Sequence, residues 1–174
     1  MRRLSLVRHA EAAHTAAGSL DRHRQLTEDG RTAARALGAF LEREQQLPQL
    51  VLCSDAVRAV DTAHLIASHA GAHSVMILDD LYDADPDQVI ALLQQHGPEG
   101  DRHLMIVAHN PTIGALAQQL AARSNRTPAI ARSLSHFEPA TCAQFAVQSH
   151  EWESFDASHA ELRRVLTPAM YLNA

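Results

Sequence analysis

Three short apolar runs constrain this chain most: Leu4–Val7, Leu50–Ser54 and Leu104–Ala108. Each has strand length and is almost continuously apolar, the pattern of strands buried on both faces of a sheet. A fourth run, Ser74–Leu78, is of similar length. Leu4–Val7 leads straight into Arg8 and His9, and the small Ala10 allows a sharp turn behind them. Leu50–Ser54 is followed by Asp55-Ala56-Val57-Arg58, and Leu104–Ala108 by His109-Asn110-Pro111. Open α/β sheets bind ligands at the carboxyl ends of their strands. Three strand ends therefore bring two arginines and two imidazoles towards one place.

The segments between the runs read as helices. Residues 10–25 form a polar loop, and Thr27 then fits an N-cap, with acidic Glu28 and Asp29 in the first turn. Ala33, Ala34, Leu37, Phe40 and Leu41 recur at helical spacing and should face the sheet. Ser54 or Asp55 is expected to cap the next helix, with Val57, Val60, Ala63, Leu65 and Ile66 on its buried side and Gly71 at its end. Asp79–Asp85 is an acidic loop, and Pro86 suits the first position of a third helix. Asn110 fits an N-cap and Pro111 the first position of a fourth, whose free N–H groups would point at the place His9 faces and form an anion site. Beyond Thr127 the pattern changes. Thr141–Val147, Trp152–Phe155 and Glu161–Leu166 read as strands with no crossover helix among them, so they should add antiparallel strands at the sheet edge. The expected architecture is a three-layer α/β/α fold with a mostly parallel central sheet and an antiparallel C-terminal edge, in a single domain over 1–174.

Composition narrows the function. A chain of 174 residues is long enough for one domain with a full core. The formal net charge of −5 argues against non-specific nucleic-acid binding. No apolar run approaches membrane-spanning length, and the first residues lack a signal-peptide pattern, so no membrane partner and a cytoplasmic location are expected. Cys53 and Cys142 are far apart and suggest neither a disulfide framework nor a zinc site.

Arg8, His9, Arg58 and His109 together suit phosphoryl transfer through a covalent phosphohistidine. A neutral imidazole nitrogen is a good nucleophile towards phosphorus. Neighbouring arginines disfavour imidazolium, hold phosphate oxygens through charge-assisted hydrogen bonds and offset charge in the transition state. Cationic side chains can thus take the place of a metal, and no cofactor is implied.

Val7-Arg8-His9-Ala10-Glu11, Leu26-Thr27-x-x-Gly30, Ser54-x-x-x-Arg58-Ala59-x-Asp61-Thr62-Ala63 and Ala108-His109-Asn110, in that order, resemble the histidine phosphatase superfamily over roughly residues 4 to 120. The short chain, the Arg-His-Ala triplet and the Leu81-Tyr82-Asp83-Ala84 loop resemble the compact SixA-like phosphohistidine phosphatases. The resemblance implies that His9 is phosphorylated, that Arg8, Arg58 and His109 bind the phosphate, and that Asn110 is a further substrate-binding residue. It implies a phosphorylated substrate, such as a phosphohistidine protein of a phosphorelay. Arg24 resembles a further pocket arginine, or is a solvated loop charge. Glu11 follows the motif as a site residue or anchors its loop. Asp61 orients Arg58 or is an exposed partner one turn away. Asp83 is the candidate general acid, ahead of Asp79 and Asp80, unless this is only an acidic surface loop. A small-molecule phosphomonoesterase and a slow phosphoprotein-binding module are the alternatives.

Rival motifs are weak. Cys53 and Arg58 have C-x4-R spacing, one residue short of the cysteine-phosphatase loop. His69 and His73 could share a helix face, but Gly71 lies between them and no third ligand completes a metal set. Nucleotide-binding glycine motifs are absent.

Overall fold

The computed structural model describes residues 1–15, 17–68, 74–100, 102–124 and 127–173. Its centre is a six-stranded sheet of β1 (Arg2–Arg8), β2 (Leu50–Ser54), β3 (Ser74–Leu78), β4 (His103–Ala108), β5 (Cys142–Val147) and β6 (Ala160–Leu166). The order across the sheet is β3-β2-β4-β1-β5-β6. β3, β2, β4 and β1 run parallel, while β5 is antiparallel to β1 and β6 to β5. The mostly parallel sheet with an antiparallel C-terminal edge is thus as expected. Strand ends from residues 8, 54 and 108 lie side by side because β4 sits between β2 and β1.

Helices cover both faces. α1 (Glu28–Arg43), α2 (Val57–Ala67) and the short α6 (Pro168–Tyr171) lie on one side, where Leu37, Leu41, Ala59, Ala63, Ile66 and Tyr171 pack against Val7, Val51, Cys53, Met105 and Val107. α3 (Pro86–His96), α4 (Thr112–Leu120) and α5 (Pro128–His136) lie on the other, where Val89, Leu93, Ile113, Leu116 and Leu134 pack against Leu4, Leu6, Leu52, Leu104 and Ile106. The strand runs are continuously apolar because alternate residues serve two different cores. Among the described residues no helix is long and apolar enough to cross a membrane.

The local details depart from expectation in five places. α2 is capped by Ala56 rather than Ser54 or Asp55. Ser54 Oγ accepts from the Ala56 N–H, and α2 buries Arg58, Ala59, Thr62, Ala63 and Ile66, leaving Val57, Val60 and Leu65 only half-buried. α4 begins at Thr112, after Pro111, because the Asn110 side chain reaches forward to Gly114 N–H and takes a later register. α5 was not expected at all. Trp152–Phe155 is a turn, closed by Phe155 N–H to Trp152 O, and both aromatic side chains plug the core instead of alternating. α6 follows β6, where Tyr171 donates its hydroxyl to the buried Ala140 carbonyl. The expected helix end at Gly71 and the His69/His73 pair lie outside the described residues.

Candidate active site

His9 follows β1 directly. Its N–H donates to Ala108 O at 3.0 Å, so β1–β4 pairing carries through to the residue itself. The next peptide is fixed from α2: the Ala10 N–H donates to Thr62 Oγ1 at 3.0 Å, and that hydroxyl donates to Arg58 O at 2.6 Å. Thr62 is fully buried. The His9 ring, only 8% exposed, places Nδ1 2.7 Å from Ala10 O. A carbonyl can only accept, so Nδ1 carries the proton and Nε2 holds the lone pair in the neutral ring.

That lone pair meets Arg58, whose Nε donates to His9 Nε2 at 3.2 Å. Arg58 is 5% exposed and stands on the first turn of α2. Its Nη2 lies 3.4 Å from His109 Nδ1, and His109 Nε2 is 2.8 Å from Ser54 Oγ. Since guanidinium only donates, His109 carries its proton on Nε2 and gives it to Ser54. The His9 and His109 rings are 5.1 Å apart. Arg8 turns towards the C-terminal half, where its Nη1 donates to Phe137 O at 3.1 Å. Phe137 ends α5 in the left-handed region (φ 36°), presenting that carbonyl to both Arg8 and Asn110 Nδ2.

Burial is the largest influence on both imidazoles. It lowers His9 from 6.5 to about 4, opposed by the bond to Ala10 and reinforced by Arg58, Arg8 and Arg24. It lowers His109 to about 3, with His9 and Arg58 next in weight. The arginines therefore act as anticipated, but desolvation does more. At neutral pH both rings are uncharged.

A carboxylate also enters the pocket, and it is not one of the anticipated ones. Asp21 lies on a 3-10 turn, Asp21–His23, before Arg24. Its Oδ2 accepts from Arg58 Nη2 at 2.8 Å and from the Tyr82 hydroxyl at 2.6 Å, and its Oδ1 from Arg24 Nη1 at 3.2 Å. These donors, Tyr82 first, hold it well below the usual carboxylate range. Tyr82 is seated by its neighbours: Leu81 and Ala84 are buried, and Thr112 Oγ1 donates to Ala84 O. Its ring stands edge-on to His109 at 5.4 Å, and the Arg22 guanidinium lies 4.1 Å from its centre.

Arg8, His9, Arg58 and His109 thus converge as expected, with Arg24 joined to them through Asp21. Asp83 is exposed and has no side-chain bond to the pocket among the described residues; Tyr82 is the residue of that loop that reaches it. Asp79 and Asp80 are likewise exposed. Asn110 spends both ends of its amide on Phe137 O and Gly114 N–H. Ile113 N–H donates to His109 O, so the start of α4 is largely satisfied within the chain rather than left open as an anion site. Glu11 anchors its loop, accepting from Thr27 Oγ1, and Asp61 pairs with Arg31 of α1 instead of Arg58. Cys53 is buried, and desolvation pushes its thiol up to about 12, which suits a packing residue. The residues missed in the sequence were Asp21, Arg22 and Tyr82. The signal for the turn was Asp21-x-x-Arg24, a charge pair three residues apart that fits a single helical turn; Tyr82 stands in the Leu81-Tyr82-Asp83-Ala84 loop, where Asp83 is the expected pocket residue.

Comparison with known proteins identifies a family and a fold. Residues 4–89 match the family model described as the histidine phosphatase superfamily (branch 1). An uncharacterised Mycobacterium leprae protein is 32% identical over 143 residues, 82% of this chain and 85% of the relative. Among solved structures, a Nakamurella multipartitia protein assigned to the SixA phosphohistidine phosphatases superposes with a TM-score of 0.81, at 29% identity and 96% coverage of both chains. The protein histidine phosphatase SixA in complex with tungstate shares the fold, with a TM-score of 0.76, 24% identity, and coverage of 96% of this chain and 97% of that one.

Proposed function

The chain belongs to the histidine phosphatase superfamily, and we propose that it is a metal-independent phosphatase that hydrolyses phosphohistidine through a covalent phosphoryl-His9 intermediate. The observation that carries this reading is the state of His9. Its Nδ1 is committed to Ala10 O, its ring is kept neutral by burial, and its Nε2 lone pair faces the cationic side of the pocket. A nucleophile so prepared needs no separate base to remove a proton.

The reaction divides into two displacements at phosphorus. In the first, His9 Nε2 forms a bond to phosphorus as the bond to the substrate's imidazole nitrogen breaks; the electron pair stays on that nitrogen, and the substrate ring, already carrying its proton on the other nitrogen, leaves as neutral imidazole. In the second, water attacks the phosphoryl-His9, the P–Nε2 bond breaks, and inorganic phosphate departs. Arg58 and Arg8 offset the charge on the phosphoryl oxygens in both steps. His109 becomes a donor to those oxygens when a phosphate dianion beside it favours its protonated form. An imidazole leaves more easily than an alkoxide, so the first step makes little demand on a side-chain acid. The cationic side chains supply the electrostatic stabilisation that metal ions supply in other phosphoryl-transfer sites. The similarity to structures named for SixA supports phosphohistidine over a small phosphomonoester.

The test is paired hydrolysis of a phosphohistidine peptide and of simple phosphomonoesters in the presence of EDTA. Faster release from the peptide is expected. His9→Ala should abolish turnover of both, and brief incubation of the wild type with substrate should trap phosphate on His9 in an acid-labile, base-stable linkage. Retained activity in His9→Ala would overturn the nucleophile assignment. A strong preference for the esters would redirect the reading to a small-molecule phosphatase.

A further inference from the structure

The cations of this pocket already hold an anion, and it comes from the chain itself. Asp21 receives hydrogen bonds from Arg24, Arg58 and Tyr82 through its carboxylate, and a fourth from Arg58 Nη1 through its main-chain carbonyl at 2.8 Å. Nε and Nη2 of an arginine carry parallel N–H bonds, the fork that grips two phosphate oxygens at once. In Arg58 one tine points at His9 Nε2 and the other at Asp21 Oδ2. A phosphoryl group approaching His9 needs the donors that Asp21 now holds.

The two sides of this contact differ in how firmly they are seated. Arg58 is buried, and Tyr82 is flanked by buried Leu81 and Ala84. Asp21 has a side chain 45% exposed and sits on a three-residue turn with no buried residue. It is held by donors rather than by packing, so it is the partner free to leave. Its ionised state also bars it from giving a proton to a leaving group.

We propose that Asp21 is an internal competitor for the phosphate-binding site: its carboxylate occupies the Arg24, Arg58 and Tyr82 donors, an incoming phosphoryl group must displace it, and its return helps expel the phosphate product. This rests on the phosphatase reading. Asp21 would thereby set the affinity for every phosphoryl ligand and keep product from accumulating on the cationic cluster.

The experiment compares full-length wild type with Asp21→Asn and Asp21→Ala, using inorganic phosphate and orthovanadate as probes. Inhibition constants are read by competition and direct binding by calorimetry. Asparagine keeps the shape and removes the charge. The expected result is at least tenfold tighter phosphate and vanadate in both variants, equal to about 1.4 kcal/mol, with a lower KM and no gain in kcat. Weaker binding in both variants would instead make Asp21 a residue that aims Arg58, and unchanged binding would remove it from the phosphate path; either overturns the proposal. Melting curves confirm that the variants are folded. If the wild type and both variants ignore both anions, and His9→Ala still hydrolyses substrate, the reading of this pocket as the phosphoryl-transfer site through His9 fails, and this inference with it. That result depends on His9 and is separate from any outcome at Asp21.

Discussion

Replacing Thr62 with valine tests how His9, the proposed nucleophile, is held. Valine matches threonine in shape but has no hydroxyl, so packing is nearly conserved while two hydrogen bonds disappear. The Ala10 N–H loses its acceptor, and no water can reach a site whose side chain is fully buried. An unsatisfied buried donor costs roughly 1–3 kcal/mol. At about 2–4 °C per kcal/mol for a domain of this size, a loss near 2 kcal/mol lowers Tm by about 4–8 °C. The same substitution frees the peptide between His9 and Ala10, so the Nδ1 contact to Ala10 O loses its support. A misplacement of about 1 Å at a reacting centre can cost on the order of a hundredfold in rate, so kcat/KM should fall by at least tenfold. Thr62→Ser keeps the hydroxyl and should retain most activity, losing only the small stability owed to the methyl group. Differential scanning calorimetry and hydrolysis of a phosphohistidine peptide read both effects. If Thr62→Val melts with the wild type and turns over at the same rate, the link from α2 to the His9 loop is wrong.

Four further outcomes follow from the structure. The acidic limb of kcat/KM should have its midpoint near 4, well below the ordinary histidine value of 6.5, because His9 stays unprotonated; a midpoint at or above 6 would show that burial does not control it. Stability should move with the same groups: below pH 6.5 the unfolded chain binds protons that buried His9 refuses down to about 4 and His109 down to about 3, so stability is fully present above pH 6.5 and is lost as pH falls through that window. Urea unfolding at pH 7.5, 5.5 and 4.5 checks the sign. Gly30→Ala should destabilise by about 1–3 kcal/mol, although alanine is the better helix former by about 1 kcal/mol, since a Cβ there collides with the Glu11 carbonyl; a more stable variant in urea titration would contradict that approach. Asp83→Asn should hydrolyse the phosphohistidine peptide at close to the wild-type rate, and a collapse in kcat would restore Asp83 as the acid.

The parts of this molecule that were legible in the sequence are those with a strong local signature. Four apolar runs, Thr27 as a cap and Pro86 at a first helical position reproduce the α/β core almost residue for residue, because strand burial and capping are decided within a few residues. Arg8, His9, Arg58 and His109 were legible because each sits at a strand end or in the first turn beyond it, and topology alone brings strand ends together. α5 was not legible: Pro128–His136 buries only Leu134, so it lacks the apolar stripe that announces a helix. Its omission hid the Phe137 carbonyl that anchors Arg8. Asp21 and Tyr82 were hidden for another reason. Sixty-one residues separate them, and nothing in either neighbourhood records that a 3-10 turn and a loop beyond β3 will meet over Arg58.

The chemistry of the site follows from where the fold spends its burial. An arginine beside an imidazole would ordinarily be a modest influence in water, since opposing or like charges there interact by only about 1 kcal/mol at contact distance. Here Arg58 and His9 are both nearly excluded from solvent, so the imidazole is neutral first because its charged form is desolvated and only then because a cation faces it. Neutrality alone would leave either ring nitrogen free to carry the proton. The Ala10 carbonyl removes that ambiguity by holding Nδ1–H, and Thr62 holds Ala10. Each layer therefore selects one property of the His9 ring: the core sets its charge, the turn after β1 sets its tautomer, and α2 sets its position. Arg58 belongs to two of these layers, because it is part of the buried wall and also the donor aimed at the lone pair. Removing its charge would relieve an obstacle to protonating His9 while stripping the pocket of its grip on phosphate. Both effects would act against the proposed phosphoryl transfer, which is why that reading calls for a buried arginine at this position.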